Sequence, residues 1–378
     1  MAKSVTLPVE NGQIRSTVNA FLKDLLEKKV VEAVMVPVKH PSNNSVVQTL
    51  VTNAGYLEQA DVFAPVMPVV SARILQSMTR ITPVDRKTAV VMRPCEMRAL
   101  VELVKLRQAQ LDDILLIGID CPGAYPVEEY ETFAAEKTSD DFVKAAAGRS
   151  ADEEAKLRAG CQICAHTEPM TADIVIGLTG LDASRELLIQ ADTERGAQVL
   201  EELGLSAEDN SSPAQKRQQA VDKAVAEMEE KRKVFFEKTA EEIGGLDNIS
   251  AIFAPCINCH NCRVVCPVCY CRECFFESPT FELEADKYLG LAEKKGAARM
   301  PTDTLLFHLT RMNHMGASCI GCGACEEACP SNIPLLKIFQ LIGDKVQKLF
   351  EYVPGRSLEE ELPPTAFKED ELEWIGEK

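Results

Sequence analysis

Apolar positions change their period repeatedly along the first half of the chain. Residues 31–38 form a β-rich apolar run, and similar short runs recur at 89–92, 114–119, 173–176 and 187–189. Between them, residues 17–28, 97–108 and 195–203 carry apolar side chains at helical spacing. Strands alternating with helices predict one α/β domain over residues 1–205. A polar break at 210–213 then leads into a highly charged helix from about 214 to 243, which Gly244 and Gly245 stop. Residues 206–248 are expected to be a connector with a partly exposed face, partner docking being the second use open to it.

Beyond Gly245 the pattern gives way to cysteine. Eleven of the fifteen cysteines fall between Cys256 and Cys329. Two runs of the form C-x2-C-x2-C-x3-C-P stand out, Cys256, Cys259, Cys262 and Cys266 followed by Pro267, and Cys319, Cys322, Cys325 and Cys329 followed by Pro330. A tight loop of this spacing points three thiolates at one 4Fe-4S cubane and releases the fourth to another cluster. One centre therefore takes Cys256, Cys259, Cys262 and Cys329, and the other Cys319, Cys322, Cys325 and Cys266. Gly321 and Gly323 let backbone amides approach the sulfurs, and each proline turns the chain away. Structural zinc is the alternative, but two complete runs each ending in proline are far more specific than a pair of zinc knuckles. This predicts an α+β two-cluster bacterial ferredoxin-like domain over residues 249–345. The 52 residues between Cys266 and Cys319 leave room for a helical insertion such as 301–312, and residues 346–378 read as an acidic tail. Cys269, Cys271 and Cys274 are not consumed by the pattern. They can supply most of a further site, offer a competing register with Cys269 in place of Cys266, or stay as buried thiols.

Four cysteines remain. Cys95 follows the apolar run at 89–92, Cys121 follows the one at 114–119, and Cys161 and Cys164 make a Cys-x2-Cys knuckle before the run at 173–176. In an α/β sheet the first two emerge at the carboxyl edge, where ligands bind. Four thiolates from three adjacent loops can close on one cubane. The alternative is that Cys95 and Cys121 are small core residues and that the knuckle binds zinc or nothing.

In Arg93-Pro94-Cys95-Glu96, Ile119-Asp120-Cys121-Pro122-Gly123, Cys161-Gln162-Ile163-Cys164, Ala172 to Gly177 and Thr193-Glu194-Arg195-Gly196 the chain resembles the coenzyme F420 hydrogenase/dehydrogenase beta-subunit family. The resemblance covers most of the chain. It implies that Cys95, Cys121, Cys161 and Cys164 hold a 4Fe-4S cluster next to FAD, which makes the α/β domain a flavin domain. The protein then carries three clusters, or four if Cys269, Cys271 and Cys274 ligate one. Unlike the shorter members, it carries its two-cluster module at the C-terminal end, as formate dehydrogenase beta subunits do. No G-x-G-x-x-G fingerprint follows a strand, so the flavin expectation rests on the resemblance. Its candidate contacts are the 65–73 segment with Arg73, and the strand-end loops at Arg93 and at Gly177 to Gly180; ordinary turn and helix-start chemistry is the other reading of these residues.

Charge and composition narrow the partners. The net charge of -17 and an aromatic content of 6% with one tryptophan argue against binding nucleic acid. The start of the chain shows no secretory pattern, no run approaches a membrane span, and cysteine-rich metal sites suit a strongly reducing, anaerobic cytoplasm. The expected partners are other subunits of a redox complex, of formate dehydrogenase, hydrogenase or heterodisulfide-reductase type, with coenzyme F420 as a possible hydride carrier. A non-catalytic electron-transfer adaptor and a metal-stabilised scaffold are the rival readings. His166 and His260, close to cysteines, are expected to pack or hydrogen-bond rather than ligate. No catalytic side chain is assigned, because the cofactors carry the chemistry.

Overall fold

The computed structural model describes residues 3–42, 45–146, 148, 150–209, 211–281, 284–296 and 302–366. The described residues divide into two compact units, one within 3–235 with 320–323 and 354–361, the other within 236–319 and 324–353 with 362–366.

The first unit is built on strands β1 (Lys3–Pro8), β2 (Ala33–Lys39), β3 (Val46–Val51), β4 (Thr88–Met92), β5 (Ile114–Ile119), β6 (Ile174–Gly177), β7 (Glu186–Ala191) and β8 (Glu208–Asp209), in the spatial order β3-β2-β4-β5-β6-β7-β1-β8. Strands β2, β4, β5 and β6 run parallel, and the flanking pairs are antiparallel. Every residue of β4 and β5 is buried. Strands covered on both faces read as continuous apolar runs, which is why these were legible in the sequence. The pairings Met92↔Gly118 and Ile119↔Ile176 bring the carboxyl ends of β4, β5 and β6 to one edge. Strands β1, β3 and β8 were not expected. They lie towards the two sides of the sheet and lack the continuous apolar run of the centre.

The charged helix runs unbroken over Ser212–Ile243. It is not merely an exposed connector. Arg217 and Val221 are buried, and the helix belongs to the first unit as far as Phe235. The boundary expected at 205 therefore moves to 235, because Gly177 and Gly180 give the helix a flat seat. A Cβ on Gly177 would meet Arg217 Cδ at 2.6 Å, and one on Gly180 would meet Ala220 Cβ at the same distance.

The second unit corrects the α+β expectation. Among its described residues there is no strand; it consists of the helices Leu246–Phe253, Ala285–Lys295, Thr302–Met315 and Leu335–Leu349, the last turns of the long helix and short helical segments. The residues flanking the cysteine runs have helical spacing, and Leu335, Leu336, Ile338, Phe339 and Leu341 bury one face. Thr302–Met315 is the expected insertion, whose first proposed residue, Pro301, lies outside the described residues. The tail expected from 346 is also partly structured. Residues 354–361 pack in the first unit, where Gly355 N donates to Glu102 Oε1 at 2.8 Å and Arg98 Nε to Pro354 O at 2.8 Å. Glu369, Asp370, Glu371 and Glu373 lie outside the described residues.

Candidate functional site

Three loops at the carboxyl edge of the parallel strands bring cysteines together. Cys95 sits in the first turn of the helix Pro94–Lys105, directly after β4, and Cys121 comes two residues after β5 ends. Cys161 lies in the short helix Ala159–Gln162, with Cys164 just beyond it. Together with Cys322 these four line one cavity of about 240 Å3, whose wall also holds Arg93, Arg158 and His166. Cys322 was not anticipated there. Its spacing assigns it to the second ferredoxin run, and no local signal reveals that residues 320–323 join the first unit. Close approach seats them: a Cβ on Gly160 would lie 2.9 Å from Gly321 O, and Arg98 Nη1 donates to Ile320 O at 3.2 Å.

A buried ion pair fixes the Cys121 loop. Asp120 accepts from Leu178 N, Thr179 N and Arg217 Nε through Oδ2, at 2.9, 3.0 and 2.9 Å, and from Arg217 Nη2 through Oδ1 at 2.5 Å. Burial pushes the Cys95 thiol well above its ordinary value, Cys121 to about 12, and Cys164 upward. Without metal these groups stay as thiols; metal coordination takes their protons. A set of soft sulfur donors around a largely apolar space suits an iron–sulfur cluster. Burial also drives His166 down to about 2, so its ring is neutral.

A second cavity of about 200 Å3 adjoins the first. Its walls include Val66, Met67, Pro68, Met92, Arg93 and Ile119, and Met67 and Arg93 line both spaces. Arg93 donates to Ala64 O. Buried Glu96 ties this corner together, accepting from Ser71 N and Oγ at 2.7 and 2.6 Å and from Arg93 N at 3.1 Å. Of the candidate flavin contacts, Arg93 and residues 66–69 of the 65–73 segment line this space. Arg73 donates to Gln76 Oε1 at 3.2 Å and lines neither cavity. Gly177 and Gly180 pack against the long helix, so the structure assigns them close backbone approach rather than a ligand loop.

In the second unit, Cys256, Cys259, Cys262 and Cys329 line one small space, the crossed set expected from the spacing of the runs. The two runs repeat in backbone as well as in sequence. Asn258 and His260 have φ of 54° and 57°, and the equivalent Gly321 and Gly323 have φ of 71° and 74°. Left-handed residues at these two positions curl each loop around its thiols. His308 Nε2 lies 3.4 Å from Cys256 Sγ and its ring stacks on Phe253, while His260 stacks on Phe307. Both histidines pack, as expected of His260. Cys266 and Cys269 lie beside each other, and burial pushes Cys269 to about 11. Cys271 and Cys274 are half-buried. Among the described residues no three Cys, His, Asp or Glu side chains meet tightly enough for a single ion; nine of the cysteines line two cavities instead.

Residues 85–217 match the family described as the C-terminal region of the coenzyme F420 hydrogenase/dehydrogenase beta subunit, and residues 252–333 match the 4Fe-4S dicluster domain. The chain is 29% identical to the F420-dependent formate dehydrogenase subunit beta of Methanocaldococcus jannaschii, across 94% of this chain and 96% of that one. It is also 29% identical to the F420-dependent formate dehydrogenase 1 subunit beta of Methanococcus maripaludis, across 94% of each. Over 30% of its length it is 30% identical to the sulfhydrogenase 2 subunit beta of Pyrococcus furiosus, covering 40% of that protein. A chain of the F420-reducing [NiFe] hydrogenase complex of Methanosarcina barkeri aligns with a TM-score of 0.46 at 13% identity, over 65% of this chain and 94% of that one.

Proposed function

We infer that this chain, whose residues 85–217 belong to the coenzyme F420 hydrogenase/dehydrogenase beta-subunit family and whose residues 252–333 are a 4Fe-4S dicluster domain, is the electron-transfer beta subunit of a formate dehydrogenase or hydrogenase type oxidoreductase complex. One observation carries the finer reading: the cysteine cavity and the cavity at Arg93 adjoin through Met67 and Arg93, and Cys322 of the second run shares the cysteine cavity. Cys95, Cys121, Cys161 and Cys164 hold one 4Fe-4S cluster, Cys256, Cys259, Cys262 and Cys329 a second, and Cys319, Cys322, Cys325 and Cys266 a third. FAD is placed at the Arg93 cavity. When bound, flavin supplies two-electron exchange with a hydride carrier such as coenzyme F420, and cubanes supply one-electron steps. The protein contributes Arg93 as a fixed cation, Glu96 to hold the corner that carries it, and apolar walls that exclude water.

The size of the Arg93 cavity supports a second reading. About 200 Å3 is below the roughly 300–1,000 Å3 that encloses a drug-sized ligand, so only one end of a dinucleotide fits inside. An adaptor with clusters but no flavin, joining a dehydrogenase or hydrogenase subunit to a heterodisulfide-reductase-like partner, has no such requirement.

Anaerobic purification separates the readings. Three cubanes predict about twelve iron and twelve sulfide per chain, with bound flavin that reduced F420 reduces faster than NADH does. Full clusters without flavin support the adaptor, and zinc without iron or sulfide defeats both. Arg93→Ala should lower flavin occupancy. Full retention would remove FAD from this cavity.

A further inference from the structure

The insertion helix Thr302–Met315 buries a cation beside Cys262 and within electrostatic reach of cysteines of both runs. Arg311 is 5% exposed. Its guanidinium carbon lies 5.6 Å from the Phe307 ring centre and 4.8 Å from that of Phe339. Nη2 donates to Cys262 O at 3.1 Å, while Nε and Nη1 have no hydrogen-bond partner among the described residues. Burial opposes its charge; Cys262, Cys266, Cys325 and Cys269 act in its favour. A buried cation with two idle donors is costly unless an anion completes its surroundings. Cys262 is a ligand of one ferredoxin-type cluster in the proposed sets, and Cys266 and Cys325 are ligands of the other.

We propose that Arg311 is the shared counter-cation of the two ferredoxin-type clusters, its Nε–H and Nη1–H donating to their sulfur atoms and raising both reduction potentials. This rests on the cluster assignment above. Each reduction adds one negative charge, so a fixed positive charge favours the reduced form, and hydrogen bonds to cluster sulfur act in the same direction. The aromatic faces of Phe307 and Phe339 hold the guanidinium plane and keep water from screening it. The insertion is thereby more than a spacer: it delivers one cation to two clusters, which a minimal ferredoxin without those intervening residues has no helix to do. If Cys269 replaces Cys266 in the second set, the argument is unchanged, since Arg311 acts on both.

The test is a redox titration followed by electron paramagnetic resonance, on the full chain after its iron and sulfide have been measured. Iron and sulfide content of the wild type judges the cluster assignment; the potentials judge Arg311. Arg311→Met and Arg311→Gln should retain the clusters and lower both ferredoxin-type potentials. At fixed ambient potential the ratio of reduced to oxidised cluster should fall at least tenfold, 59 mV for a one-electron couple. The cluster at Cys95 should keep its potential. Wild-type potentials in a fully loaded neutral variant, or a shift in one ferredoxin-type cluster alone, would overturn the proposal. If neither neutral variant retains clusters, Arg311→Lys decides: it keeps the charge but loses the planar donors, so both potentials should fall by a smaller amount, and no change would overturn it.

Discussion

Asp120 and Asp61 illustrate two ways of burying a carboxylate. Asp120 is matched by Arg217 and by two backbone amides. Breaking such a pair leaves a buried charge, so Asp120→Asn should cost roughly 3–5 kcal/mol in urea unfolding. Glu168, 3.5 Å from Arg217 Nη2, should hold the loss towards the lower end. Asp61 accepts from Ser139 Oγ at 2.7 Å and faces Lys39 Nζ at 3.4 Å, yet its Oδ1 has no partner among the described residues. Burial therefore raises its carboxyl pKa above 3.8. A carboxyl that holds its proton more tightly when folded stabilises the protein fully below its unfolded value, and this contribution is lost as pH rises through the folded value. Asp61→Asn should flatten that decline above pH 3.8. An unchanged slope would show that another group causes it.

The loops and helices that carry these residues depend on glycine in two distinct ways. A Cβ on Gly323 would meet Arg158 Nη2 and Gly160 N at an ordinary van der Waals distance of 3.7 Å, so its requirement is the backbone φ of 74°. Gly323→Ala should cost about 1–2 kcal/mol from the left-handed conformation alone, read as a lowered thermal midpoint. Gly180 is constrained by packing as well, since its Cβ would lie 2.9 Å from Lys216 O and 2.6 Å from Ala220 Cβ. Gly180→Val should destabilise by about 2–5 kcal/mol, since the left-handed backbone and the overpacking both oppose it, while flavin per folded protein stays constant. A selective loss of flavin would instead restore the ligand-loop role that the sequence suggested. Central strands β4 and β5 were readable because their apolar runs are continuous. The short strand β8 has only Glu208 and Asp209, neither of which carries a strand signal.

Taken as a whole, the two units differ in what should hold them together. The first has a large core in which Ile117, Ile174, Ile176, Leu187 and Ile189 are all fully buried. The second packs its helices around cysteine loops, where cluster binding contributes directly to folding. Removing iron with a chelator under anaerobic conditions should raise amide exchange in Leu246–Phe253, Thr302–Met315 and Leu335–Leu349 while β4 and β5 stay protected. Equal loss of protection in the sheet would contradict this division.

The amino-acid order by itself determined the two cysteine runs, the alternation of strands and helices, and the appearance of Cys95 and Cys121 directly after apolar strands. Those features are local, because ligand spacing, turn chemistry and hydrophobic period all act within a few residues. Tertiary structure alone brought Cys322 to the cavity of the other four cysteines, set Gly177 and Gly180 against the long helix, and buried Arg311 within electrostatic reach of cysteines from both runs. Each of those outcomes depends on which distant surfaces pack together, and packing is settled by shape and burial across the whole unit rather than by neighbours along the chain.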